Sequence, residues 1–123
     1  MVRAVRGATT VNHNTSEEII SETSRVLTEI IEENSIDLED VISIFFTVTK
    51  DLDAAFPAVA ARKLGWTNIA LLCTYEIDVP DSLKNCIRVM LHFNTDRKNC
   101  DIKHIYLNKA RNLRPDLFET DRA

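Results

Sequence analysis

The sequence predicts an α+β domain, a mixed β-sheet with its helices on one face and a ferredoxin-like arrangement. Three observations predict it. Runs rich in β-branched, aromatic and aliphatic residues recur at 3–11, 41–48, 68–73, 86–94 and 102–107. Helices separate the first three runs and nothing longer than a helical turn separates the last three, giving the order strand, helix, strand, helix, strand, strand, strand. In the fourth run Ile87, Val89, Leu91 and Phe93 alternate with Arg88, Met90 and His92. A strand sends alternate residues to opposite faces, so one face of this strand is apolar and the other carries an arginine.

Each element follows from local chemistry. Residues 3–11 form a Val/Thr/Ala-rich strand, and Asn12-His13-Asn14-Thr15 is a polar break. Thr15 followed by Glu18 resembles a capping box, and Glu17 adds negative charge at a helix N-terminus. From residue 16 to about 34 the apolar residues Ile19, Ile20, Val26, Leu27, Ile30 and Ile31 recur at helical spacing, with Glu22, Arg25, Glu29, Glu32 and Glu33 on the wet side. Asp37 to Asp40 is a turn or short helical link. Residues 41–48 make a largely buried strand. After a loop, Pro57 fits the first turn of a helix that runs to Leu64 and stops at Gly65. The third strand covers 68–73. Residues 75–80 connect it to a helical turn at Ser82-Leu83-Lys84, and the Arg88 strand follows. Residues 95–101 are polar and exposed, 102–107 form the last strand, and 109–113 form a short helix that ends before Pro115. The domain is expected over residues 1–115, with 116–123 a mobile tail.

With 123 residues, 45% of them apolar and 28% charged, the composition fits one globular domain with its own core. The net charge of −4 argues against nucleic acid as a partner, which needs a basic face. No apolar run approaches the ~20 residues of a membrane span. Three cysteines without Cys-x-x-Cys spacing and a strand pattern near the N-terminus predict a reduced, cytoplasmic protein. The two glycines exclude a glycine-rich phosphate loop. His13, His92 and His104 share no ligand spacing with the cysteines, so no metal is expected.

The candidate chemistry lies in the arginines. A guanidinium stays charged and is costly to bury unpaired. Arg88 therefore faces water, a carboxylate or an anionic ligand, and Arg6, in Ala4-Val5-Arg6-Gly7-Ala8, is placed the same way. The pair predicts an anion pocket. Glu76 can serve as an ion-pair partner for an arginine or as an acceptor for a ligand hydroxyl. Cys73 has no evident histidine partner and reads equally as a small buried thiol or a ligand contact. The sheet face opposite the helices stays uncovered in one chain although it carries Met90, so oligomerisation is expected to cover it. From the residues alone the ligand is not named.

Several segments in register resemble the small monofunctional chorismate mutases whose trimer forms a pseudo-α/β-barrel. They are Val5-Arg6-Gly7-Ala8-Thr9-Thr10, Asp51-Leu52-Asp53-Ala54-Ala55-Phe56-Pro57-Ala58 with Ala61-Arg62, Cys73-Thr74-Tyr75-Glu76-Ile77-Asp78-Val79, Leu83-Lys84-Asn85-Cys86-Ile87-Arg88-Val89-Met90, His104-Ile105-Tyr106-Leu107, and Leu113-Arg114-Pro115-Asp116-Leu117. The resemblance implies a homotrimer with active sites between subunits. The implied reaction is the cofactor-free rearrangement of chorismate to prephenate in aromatic amino acid biosynthesis. It implies that Arg88 serves the breaking ether oxygen and a carboxylate, that Arg6 and Tyr106 hold carboxylate, and that Glu76 and Cys73 meet the ring hydroxyl. Phe56, Ala58, Leu71, Leu72 and Leu113 would shape the walls, Arg62 would guard the entrance, and Arg114 with the tail would help close the site. Val59 departs from the resemblance, standing where a lysine can lie near the site mouth. The contrasting expectation is a non-catalytic binding module or sensor for an aromatic-pathway acid.

Overall fold

The computed structural model describes residues 1–113. The expected Arg114 role and the 116–123 tail lie outside them. The elements are β1 (Val2–Thr10), α1 (Ser16–Glu33), β2 (Val41–Val48), α2 (Ala58–Lys63), β3 (Ala70–Tyr75), β4 (Cys86–Asn94) and β5 (Ile105–Tyr106), with 3₁₀ turns at Leu38–Asp40, Asn99–Asp101 and Asn108–Leu113.

Thr15 starts α1: its hydroxyl accepts the Glu18 N–H at 3.2 Å. The Glu18 carboxylate reaches past the cap to accept the backbone N–H groups of Asn12 and His13, which holds its pKa below the ordinary carboxylate range. Both helices end in Schellman geometry. In α1, Ile36 N–H returns to Ile31 C=O at 3.0 Å with Ser35 at φ 49°. In α2, Trp66 N–H returns to Ala61 C=O at 3.0 Å with Gly65 at φ 87°.

The five strands run in the order β3-β2-β4-β1-β5. β4 lies antiparallel between β1 and β2, which makes β1-α1-β2 a split βαβ unit, the ferredoxin-like feature. β3 adds parallel to β2, and β5 parallel to β1. The core fills the space between one sheet face and the helices. Ile44, Phe46, Val89, Leu91 and Phe93 from the strands pack with Val26, Leu27 and Ile30 of α1 and Ala58, Ala60 and Ala61 of α2. Gly7 lets β1 approach α1: a Cβ there would lie 2.7 Å from Ile30 Cδ1.

Four expected elements differ. The third strand moves from 68–73 to Ala70–Tyr75, where Ser43–Val48 of β2 supply its partners. The last strand shrinks from 102–107 to Ile105–Tyr106. The Lys103 backbone is bonded on both sides by the Asn34 amide, and Arg6 N–H donates to His104 Nδ1 at 3.0 Å instead of to a neighbouring carbonyl. The final helix is a 3₁₀ turn that begins at Asn108, whose φ of 53° is not helical. The 82–84 segment is not a helical turn, because Asp81 at φ 66° and Asn85 at φ 53° reverse the chain at both ends of it.

Candidate active site

The strand registers place side chains of the open sheet face in rows. One row runs Leu72, Phe45, Met90, Arg6 across β3, β2, β4 and β1; the next runs Thr74, Thr47, Arg88, Ala8, Tyr106 across all five strands. Arg88 and Arg6 therefore lie on one face, two residues apart along the strand direction. The opposite side of β4 is the core, with Ile87, Val89, Leu91 and Phe93 all buried.

Glu76 joins this face from the end of β3. Its N–H donates to Val48 C=O at 2.9 Å, and its carboxylate turns back over β2. Thr47 Oγ1 donates to Glu76 Oε1 at 2.5 Å, and Arg88 Nε stands 3.4 Å from the same oxygen. Arg88 and Glu76 are each about three-quarters buried, at 24% and 23% side-chain exposure. Arg6, Phe45, Thr47, Glu76, Arg88 and Met90 line a cavity of about 140 Å³. Tyr106 is buried beside Ala8 and Ala110, with Leu113 packed on this cluster. Its hydroxyl is buried without a hydrogen-bond partner among the described residues. Such an orphaned polar group calls for an additional partner.

A second, larger cavity of about 530 Å³ lies by the β2–α2 loop, lined by Leu52, Asp53, Ala55, Phe56, Pro57, Cys73 and Tyr75 among others. Cys73 pairs with Phe46 in the parallel register and packs toward the helices. Burial pushes its thiol pKa up, opposed in part by the Ala58 N–H and the Arg62 charge. Ala58 is buried in α2, Arg62 is exposed, and Phe56 is 68% exposed.

The expected site residues thus fall into two groups within one chain. Arg6, Glu76 and Arg88 come together, with Tyr106 in the Arg88 row; Cys73 and Phe56 line the second cavity, and Ala58 and Arg62 act on Cys73 without lining that cavity. Leu72 lies on the open face, whereas Leu71 pairs with Ile44 and packs against the core. Sequence reasoning missed Thr47, which touches Glu76 directly. The available signal was its position in β2, one step from apolar neighbours and on the face opposite Phe46.

Comparisons with known proteins agree on one family. The family described as chorismate mutase type I matches residues 2–117. Chorismate mutase AroH of Bacillus subtilis (strain 168) is 48% identical over 121 residues, covering 98% of this chain and 95% of the relative. Chorismate mutase AroH of Thermus thermophilus is 45% identical over 118 residues, covering 95% and 97%. The solved chorismate mutase from Clostridium thermocellum superposes with a TM-score of 0.87 at 61% identity, covering 89% of this chain and 97% of that one. With the arginine–glutamate face and the α+β sheet in place, this chain belongs to the type I chorismate mutases, intramolecular isomerases of aromatic amino acid biosynthesis.

Proposed function

We propose that the chain rearranges chorismate to prephenate in a cleft built from two copies of itself. The observation that carries this reading is the separation of charge from volume. The cavity with both arginines is about 140 Å³, below the ~300–1,000 Å³ typical of ligand pockets. The larger cavity has room but no arginine or lysine among its lining residues. The open face supplies the means of joining them: Phe45, Leu72 and Met90 are 42%, 55% and 37% exposed in one row of the sheet. Burying that row against a neighbour brings Arg6, Glu76, Arg88 and Tyr106 of one protomer to Phe56, Ala58, Arg62 and Cys73 of the next. A closed ring of three such contacts is the expected trimer.

The reaction is a concerted Claisen rearrangement: one C–O bond breaks while one C–C bond forms. No proton transfer and no covalent adduct are needed. A raised Cys73 pKa fits this, since a protonated thiol can accept or donate a hydrogen bond but is a poor nucleophile. Arg6 and Tyr106 hold the flexible diacid in its compact reactive conformer, so conformational entropy is lost on binding and not during reaction. Arg88, fixed mid-strand, faces the ether oxygen as negative charge grows on it and stabilises the transition state beyond the ground state. A ~10⁶ acceleration corresponds to about 8 kcal/mol, and one well-placed donor supplies about 3–4 of it. Conformer selection provides the remainder.

The test is direct. Purified protein is given chorismate, and the decay of its ultraviolet absorbance is followed together with prephenate formation. Saturable turnover supports the reading; saturable binding without turnover identifies a sensor and overturns it.

A further inference from the structure

Thr47 is a polar side chain of β2 on the open face, and it stands between Thr74 and Arg88 in the strand register. Its hydroxyl donates to Glu76 Oε1 at 2.5 Å, while Arg88 Nε is 3.4 Å from that same oxygen. The Arg88 distance exceeds the ~2.7–2.9 Å of a good charge-assisted bond. The threonine, not the arginine, is therefore the tighter tether. Both contacts fall on one oxygen of a carboxylate that has about four acceptor positions. Glu76 Oε2 accepts from no described residue.

A carboxylate this close to a guanidinium tends to close a bidentate pair with it. That pairing would occupy two Arg88 N–H groups and turn both Glu76 oxygens inward. We propose that Thr47 is a positioning residue that prevents it. Its hydroxyl anchors Oε1 above β2, which leaves Oε2 as the acceptor for the substrate hydroxyl and keeps the terminal Arg88 nitrogens for the ether oxygen and carboxylate. This rests on the functional reading above, in which Glu76 and Arg88 meet chorismate.

The experiment measures kcat and KM for chorismate in wild type, Thr47→Val, Thr47→Ser, Glu76→Ala and the Thr47→Val/Glu76→Ala double variant, with thermal melts confirming the fold. If the valine chain does not fold, Thr47→Ala takes its place. Thr47→Val is expected to lower kcat/KM about ten- to hundredfold, the range for losing a hydrogen bond to a charged group. Thr47→Ser is expected to restore most of it. In the Glu76→Ala background the valine should cost nothing further, because the group that Thr47 restrains is gone. A Thr47→Val enzyme as fast as wild type, an unrescued serine variant, or equal losses in both backgrounds would overturn this inference and leave the mutase reading standing. Absence of turnover in wild type would overturn both.

Discussion

At the scale of single residues, the chemistry depends on where charge is fixed and where it is withheld. Arg88 was legible because a guanidinium among alternating apolar residues has few places to go, and the structure gives it the open face and a carboxylate neighbour. Arg6 followed by the same logic. Thr47 carried only the weak signal of its strand position, since threonine is an ordinary strand residue and its contact with the carboxylate appears only when Glu76 folds back over β2. The helix-side position of Cys73 was equally hidden, because strand alternation gives two faces without saying which one the helices cover. Burial raises the pKa of this thiol, so its thiolate fraction is depressed at neutral pH and grows only as pH rises beyond the ordinary thiol range. At pH 7.5 iodoacetamide should alkylate exposed Cys100 first, Cys73 more slowly and buried Cys86 last, as read by peptide mass spectrometry. Cys73→Ser should keep substantial turnover. Rapid Cys73 labelling together with a folded but dead serine variant would reopen a nucleophilic role.

At the scale of elements, hydrophobic period fixed most of the architecture and hydrogen-bond competition set the exceptions. The α1 stripe and the five strand runs were readable because burial imposes their spacing. The shortened β5 was not, because Asn34 and His104 take up backbone groups that a longer ladder would use, and those contacts span 69 and 98 residues of sequence. The reversal near Asp81 depends on left-handed backbone at non-glycine residues, which composition does not reveal. The same conformation at Ser35 makes a stability prediction. Ser35 is exposed and occupies the Schellman position that glycine fills without steric penalty. Ser35→Gly should stabilise the fold by about 0.5–1 kcal/mol, within the range of helix-cap improvements. Urea titration reads this as a higher midpoint at unchanged slope. A lower midpoint would mean that the serine side chain contributes more than the backbone strain costs.

At the scale of the whole molecule, the chain carries its two arginines in one small cavity and its larger cavity elsewhere, and in the proposed reading each is half of a site. The uncovered face was legible from its alternation, but the separation of Cys73 from Arg88 emerged only with the registers. This division predicts complementation. Arg88→Ala chains lack the cation and Phe56→Asp chains carry a charge in the wall of the larger cavity, so each homogeneous oligomer should be nearly inactive. Refolding the two together should restore activity, because some interfaces then pair an intact arginine half with an intact wall half. Unfolding and refolding each parent alone provides the control, and a mixture no more active than its parents would place the site within one protomer. The most direct measurement concerns the guanidinium itself. Citrulline installed at position 88 keeps the shape of arginine and removes its charge. The expected result is an intact trimer by light scattering and a kcat reduced at least ~10²–10³-fold, the scale of a lost transition-state donor. Prephenate formed at the unmodified rate would contradict it.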